Sequence, residues 1–165
     1  MTKSQFTDVL SKWLFEFLRK NYANDYDIEI IIPDGNLSKN PNQTIKKLDA
    51  YASFEFHPDI LGLLTSKMDG KVESVLLNRS ISAISLKEIG EMNCYSKILH
   101  AKHSFLASLK GLPDEVNLIL LNNDVSNKVL KITENNTIHI FKWDEKIDDI
   151  DQITLFPIEG NILKR

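Results

Sequence analysis

The sequence contains one cysteine and no long run of apolar residues, and both absences exclude classes of protein. Cys94 cannot form an intramolecular disulfide, and without a CxxC pair or a Cys/His cluster it provides no zinc site. We interpret it as a small buried residue on a helix. No apolar run approaches the length that crosses a bilayer. The residues after Met1 lack the charged and apolar regions of a secretory signal, so we expect a cytoplasmic protein without a membrane partner.

Several chemical motifs are also missing. The sequence has no Gly-rich phosphate loop, no HExxH pair, no internal repeat and no serine, histidine and aspartate that can be ordered into a triad. The formal net charge is −3, from 20 basic and 23 acidic side chains, which argues against attraction of nucleic acid to the whole surface. One basic face remains compatible with this balance, and its candidates are Lys46, Lys47, Arg79, Lys87, Lys97 and Lys102.

The length and the apolar content predict one domain. A chain of 165 residues with 42% apolar content can bury a hydrophobic core of ordinary size, so we expect one domain over 1–165. From Asp144 the sequence is first acidic and then apolar. We interpret 144–165 as a C-terminal tail that packs on the body, with docking to a partner as the alternative.

The first third of the chain reads as a helix, a strand and a loop. Apolar residues at three-four spacing predict a helix over 5–20, with Ser4 as its N-cap. β-Branched residues predict a strand over 26–32. Proline, glycine, asparagine and aspartate crowd into 33–43 and predict a loop there, whereas 44–50 is ambiguous.

The next two segments are predicted to form a hairpin. Weak alternation and an apolar run predict a largely buried strand over 54–64, and a second strand follows over 72–79. The turn signal Asp69-Gly70 lies between them. Proline does not donate to a strand ladder, so we expect Pro58 to kink the first strand and to re-aim Asp59.

The remaining segments alternate between helix and strand. Ser85 and Glu88 form a capping box before an apolar stripe, which predicts a helix over 86–100. The later elements are a strand over 104–109, a helix over 113–121, and a hairpin of strands over 129–133 and 137–143. The order α-β-β-β-α-β-α-β-β predicts an α/β or α+β domain with a central mixed sheet flanked by helices.

This order of elements resembles the core of the PD-(D/E)xK nucleases, the restriction-endonuclease-like superfamily. Three features carry the resemblance: Pro58-Asp59 on the first hairpin strand, Leu77 to Arg79 at the end of the second, and the helix residues Gly90 to Tyr95. The resemblance covers roughly residues 5 to 110. It implies a restriction-endonuclease-like core and a role in DNA metabolism.

The resemblance also implies a candidate catalytic set. Asp59 stands at the place of the family's first metal ligand, and Arg79 stands at the place of its lysine, where it would clamp a phosphate. Leu77 occupies the place of the second acid, and leucine does not ligate a metal. Glu91 on the following helix is the implied substitute ligand, so the metal pair is Asp59 and Glu91. Oxygen ligands suit Mg²⁺, or Mn²⁺ in its place.

Two accessory residues complete this set. The first helix of the family often carries a glutamate that faces the active site, and Glu16 is the candidate here. His57, beside the Pro58-Asp59 pair, is a candidate contact for a phosphate or a water, although a strand histidine is commonly a structural hydrogen-bonding group. Asn78 is expected on the opposite strand face from Leu77 and Arg79.

Two functions therefore stay open at the level of sequence. One is a divergent, metal-dependent DNA endonuclease that hydrolyses phosphodiesters through Asp59, Arg79 and Glu91. The other is a catalytically inactive nuclease-fold domain that binds nucleic acid or a protein partner. DNA is the expected partner of the first, and a protein partner or a homodimer is the alternative. An unrelated α/β interaction module would need the resemblance to be accidental.

Overall fold

A mixed sheet of seven strands runs through the molecule, with helices on both faces. The computed structural model describes residues 1–49, 51 and 55–164. The strands are β1 (Tyr26–Ile31), β2 (Ile60–Ser66), β3 (Val72–Ser80), β4 (His103–Ser108), β5 (Lys131–Thr133), β6 (Asn136–Asp144) and β7 (Asp149–Ile150). The helices are α1 (Lys3–Tyr22), α2 (Leu86–Ile98), α3 (Asp114–Leu120) and α4 (Asn123–Leu130). The predicted mixed α/β fold with a central sheet between helices is therefore confirmed.

The sheet combines an antiparallel half with a parallel half. Its strand order is β1-β2-β3-β4-β6-β5, and β7 pairs with β6 outside this path. The hairpin expected around Asp69-Gly70 is present, because β2 and β3 pair antiparallel with Ile60 opposite Leu77. Strands β3, β4 and β6 run parallel, since α2 connects the first two and α3 with α4 connects the next two.

Helix α1 covers one face of the sheet with the apolar stripe that the sequence predicts. Four of its residues, spaced every four positions, are fully buried: Phe6, Leu10, Leu14 and Leu18. The helix starts before the predicted residue 5 because Thr2, and not Ser4, is the N-cap: its side chain accepts the Gln5 backbone N–H, while the Gln5 side chain accepts the Thr2 N–H. This face also contains Leu77 and Phe105.

Gly62 on β2 lets α1 approach the sheet closely. A Cβ atom at Gly62 would lie 2.9 Å from Leu18 Cδ1 and 3.2 Å from Val75 Cβ, whereas a Cβ at Gly90 on α2 would meet nothing within 4 Å. We expect Gly62→Ala to lower the free energy of unfolding by about 1–3 kcal/mol through overpacking. Gly90→Ala should raise it by about 0.5–1 kcal/mol, since alanine is the better helix former.

Urea unfolding of the two variants measures both changes. They add the same methyl group, which has no room at position 62 and open space at position 90. Equal stability of both variants and the wild type would contradict the close packing of α1 on β2.

Helices α2, α3 and α4 cover the opposite face. The capping box of Ser85 and Glu88 forms as expected: Ser85 accepts the Glu88 N–H, and Glu88 accepts the Ser85 N–H. Buried residues of all three helices pack with Leu61, Leu76 and Leu106 of the central strands. The loop predicted over 33–43 also contributes to this core, because Leu37 in a short 3-10 turn is fully buried. The ambiguous segment 44–50 contains a second such turn over Ile45–Lys47, and residue 50 lies outside the described residues.

The structure corrects three boundary predictions. The strand predicted over 54–64 begins only at Ile60, so Pro58 precedes the ladder and does not kink it; Phe54 lies outside the described residues. Residues 129–130 end helix α4 and do not belong to a strand, because Leu130 is buried against the helical layer. The predicted helix over 113–121 corresponds to α3, and a further helix, α4, follows it, capped by the Asn122 side chain, where no element is predicted before residue 129.

The prediction that Cys94 is buried is wrong. Cys94 lies on the exposed side of α2, whereas Met92 and Ser96 face the core. A single apolar residue such as Cys94 does not by itself show which face of an amphipathic helix is buried.

The residues from 144 onward pack on the sheet. Strand β7 pairs with the end of β6, and Phe156 exchanges both backbone hydrogen bonds with Ile140. Leu155 and Leu163 are buried on the α1 side. None of the helices in the described part of the chain has the length and apolar character needed to span a bilayer.

Candidate functional site

Asp59 lies immediately before β2, beside the end of β3. Its backbone N–H donates to the Asn78 side-chain oxygen at 3.0 Å. Its carboxylate accepts the backbone N–H of Arg79 through Oδ2 at 2.8 Å, and its Oδ1 lies 3.2 Å from Arg79 Nη1. Asp59 is therefore bound to the neighbouring strand through both its backbone and its carboxylate.

Arg79 connects this carboxylate to helix α1. Its side chain is only 10% exposed, against 22% for that of Asp59. Its Nε donates to the hydroxyl of Thr7, which is buried and donates in turn to the Lys3 carbonyl. Because a guanidinium stays protonated at every physiological pH, Arg79 is a permanent counter-ion for Asp59.

Leu77 lies at the next position on the same strand face as Arg79, where the resemblance implies an acid. Its side chain is 0% exposed and packs in the core between the sheet and α1. It lies opposite Ile60, which is also fully buried. No carboxylate is therefore available at this position to complete a metal site with Asp59.

A cavity of about 140 Å³ brings the three main candidates together. Asp59, Arg79 and Glu91 all line it, and Glu88 contributes a further carboxylate. The cavity lies between the ends of the central strands and the first turns of α2; its other lining residues are Asn78, Ser80, Ile84, Leu106 and Ala107. With three acids and one guanidinium in its wall, it is an acidic notch.

The donors in this notch do not fit a magnesium site as they are arranged. Magnesium takes octahedral oxygen coordination with one or two carboxylates. Both oxygens of Asp59 already contact Arg79, and Glu88 Oε2 accepts hydrogen bonds from the Ser85 N–H and hydroxyl at 2.7 and 2.8 Å. Within the described ranges, no group of three or more His, Cys, Asp or Glu side chains is placed to hold a metal ion. A Mg²⁺ or Mn²⁺ ion at Asp59 would share oxygens that already accept from Arg79 and would lie beside the positive charge of its guanidinium.

The two accessory candidates lie elsewhere. Glu16 is on the exposed side of α1, where its carboxylate pairs with Arg19 at 2.7 Å, and it lines two surface grooves that do not include Asp59. His57 is exposed and is not among the residues that line the acidic notch. Asn78 faces the α2 side, as expected, and its side chain holds the backbone of Asp59.

A second polar cluster occupies the opposite end of the sheet. Lys102 Nζ lies 2.7 Å from Glu73 Oε2 and donates to the Tyr26 hydroxyl at 3.3 Å, while it sits over the rings of Tyr22 and Tyr26. The Tyr22 hydroxyl hydrogen-bonds His103 Nε2. Burial opposes the charge on Lys102, but its hydrogen bonds to Glu73 and Tyr26 outweigh burial and raise its pKa.

Sequence reasoning missed this cluster because its members come from four distant elements. Tyr22 and His103 are separated by 81 positions, so no spacing rule connects them. The polar groups of these side chains hydrogen-bond with one another, and we interpret them as a structural network that holds the start of β4 against the end of α1.

Comparisons with models of protein families, with curated proteins and with solved structures find no match to this chain.

Proposed function

We propose that this chain is a catalytically inactive, nuclease-like domain of DNA metabolism that acts by binding a protein partner. The observation that carries this proposal is the Asp59–Arg79 ion pair beside the buried Leu77. In a metal-dependent site, a cation would neutralise Asp59 and a second acid would share that cation. Here the guanidinium already supplies the positive charge, and hydrocarbon replaces the second acid.

The nuclease-like core is supported by the order of the elements. The chain places α1, β1, β2, β3, α2 and β4 in the order that the resemblance implies. Asp59 directly precedes β2, and Arg79 is the second-last residue of β3, so the two residues lie at the same end of neighbouring strands, which supports the proposal.

Charge favours a protein partner over nucleic acid at this site. Three carboxylates and one guanidinium line the notch, and the whole chain carries a net charge of −3. A phosphate approaching the notch without a bridging cation meets net repulsion.

A metal-dependent endonuclease is the second candidate. One specific observation favours it: Asp59, Arg79 and Glu91 line the same cavity, although they come from three different elements. In that case Glu91 and Asp59 would hold Mg²⁺ or Mn²⁺, and Arg79 would contact the phosphate. The cation would supply the charge that polarises the phosphodiester.

DNA cleavage assays with Mg²⁺ and with Mn²⁺ separate the two candidates. We expect no hydrolysis of single- or double-stranded DNA by the wild type, and the same result for Asp59→Ala and Glu91→Ala. Glu115→Ala, which removes an exposed acid from α3, is the matched control. Metal-dependent cleavage that is lost in both notch variants and kept in Glu115→Ala would overturn the proposal in favour of the endonuclease.

A further inference from the structure

The two edges of the sheet differ in how well they are protected. Strand β5 forms one end of the sheet, has only three residues and pairs with an irregular register. Strand β1 forms the other end, has six residues and pairs with β2 in a continuous register. A regular, exposed edge presents unpaired backbone groups that another strand can bind.

The pairing of β1 with β2 determines which backbone groups of β1 point towards β2 and which point away from it. The Lys67 N–H donates to the Asp25 carbonyl at 2.9 Å, which makes Asp25 and Lys67 a hydrogen-bonded pair. Because such pairs alternate along an antiparallel ladder, the odd residues 27, 29 and 31 bond to β2. The even residues 26, 28 and 30 therefore turn their N–H and C=O groups towards the open edge.

The same edge carries an exposed apolar surface. Ile28 and Ile30 lie on the face of the sheet that packs against α1. Ile32, one residue beyond β1, is 49% exposed, and Phe15 of α1 is 40% exposed. Phe15, Ile30 and Ile32 line a groove of about 660 Å³ together with Ser11, Lys12 and Glu16.

We propose that a second copy of this chain binds here, with β1 pairing antiparallel to its counterpart about a two-fold axis at Ile30. This register places Ile30 opposite its counterpart and Ile28 opposite Ile32, which makes one apolar stripe continuous with Phe15. Ile28 and Ile30 turn their backbone groups outward, so the Ile30 pair can exchange two hydrogen bonds and Ile28 presents its N–H and C=O to the segment at Ile32. The sheets of the two copies then form one continuous sheet.

Charge disfavours the registers with the axis at Glu29 or at Ile28. An axis at Glu29 would place two glutamates directly opposite each other, and an axis at Ile28 would place Asp27 opposite Glu29. Like charges in directly opposite positions destabilise a strand pair. With the axis at Ile30, Glu29 lies opposite Ile31 and Asp27 lies opposite Pro33, so no acid faces an acid. This dimer does not depend on whether the Asp59 notch hydrolyses DNA.

Sedimentation equilibrium over a micromolar concentration range tests the association. We expect a species of twice the 18.9-kDa chain mass. Ile32→Lys should abolish it, because two lysines would replace the apolar contacts with Ile28. Ile153→Lys is the matched control, since Ile153 is 95% exposed in a 3-10 turn outside the edge, and it should dimerise like the wild type. A monomeric wild type, or a dimer that survives Ile32→Lys, overturns the proposal.

Cysteine cross-linking tests the register in the Cys94→Ser background. Residues of a hydrogen-bonded antiparallel pair have Cα atoms about 5.5 Å apart, within the range that a disulfide spans. We expect Ile30→Cys to form a covalent dimer on oxidation, and Glu29→Cys and Ile153→Cys to remain monomeric on non-reducing gels. Cross-linking through position 29 instead of 30 overturns the proposed register, and failure of both to cross-link overturns the edge pairing.

Discussion

Asp59→Ala is expected to lower the free energy of unfolding by about 3 kcal/mol, because it leaves the largely buried guanidinium of Arg79 without its counter-ion. The substitution also removes the acceptor of the Arg79 backbone N–H. Urea unfolding at neutral pH measures the change. Asp49→Ala, which alters an exposed acid, should change stability by no more than about 0.5 kcal/mol.

The sign of this effect distinguishes a structural pair from a metal site. Carboxylates assembled for a cation repel one another in its absence, so removing one of them commonly stabilises the metal-free protein. An increase in stability for Asp59→Ala would therefore contradict the role that we assign to Arg79. A double-mutant cycle with Arg79→Leu should show that the two substitutions together cost less than the sum of the single ones.

Acidification from pH 6.5 to about 4 is expected to destabilise the protein through two buried histidines. Burial, together with the charges of His139 and Lys102, lowers the pKa of His103 to about 4, although the carboxylate of Glu73 acts in the raising direction. Burial also lowers the pKa of His139 to about 4, against the raising effect of a hydrogen bond with the Asn161 side chain, and its Nδ1 has no hydrogen-bond partner among the described residues.

The direction of the pH effect follows from the pH at which the unfolded chain and the folded chain each bind protons. Below pH 6.5 both imidazoles are protonated in the unfolded chain, whereas in the folded chain they become protonated only near pH 4. Their neutral forms therefore contribute full stability above pH 6.5, and this contribution falls as the pH drops towards 4. A pKa difference of about two units corresponds to about 3 kcal/mol for each histidine at the acidic limit.

Urea unfolding as a function of pH, with one histidine removed, isolates this contribution. We expect His139→Gln to reduce the loss of stability across this range by about half, since glutamine does not titrate. Ile153→Gln, at a position that is 95% exposed and carries no titratable group, is the matched control and should leave the pH dependence unchanged. An identical pH slope in the wild type and in His139→Gln would contradict the burial effect.

The sequence predicted those parts of the fold that depend on local pattern. The apolar stripe of α1 and the capping box at Ser85 predicted two helices because spacing alone defines them. The turn at Asp69-Gly70 predicted the central hairpin for the same reason. Helix α4 was missed: the predicted helix ends at residue 121 and the next predicted element is a strand from 129, whereas the Asn122 side chain caps a helix between them.

In the candidate site, too, the sequence predicted some features and missed those that depend on contacts between distant residues. The lack of an acid at Leu77 is readable directly from the sequence, and the shared cavity of Asp59 and Glu91 was expected from the order of the elements. The ion pair with Arg79 was not expected, because it depends on where the strand ends and on the Thr7 hydroxyl some 72 positions away. The Tyr22–His103 contact was also not predicted, because the two residues are 81 positions apart in the sequence.

Thermal unfolding in the presence of Mn²⁺, with the wild type and Asp59→Ala measured side by side, tests most directly the proposal that Asp59 does not bind a metal ion. If Arg79 is the resident counter-ion of Asp59, the unfolding midpoint of the wild type should stay constant from metal-free buffer to millimolar Mn²⁺, because nothing binds the folded state selectively. Asp59→Ala should then unfold at a lower temperature by the same margin at every metal concentration. A midpoint that rises with Mn²⁺ in the wild type and not in Asp59→Ala would contradict this assignment.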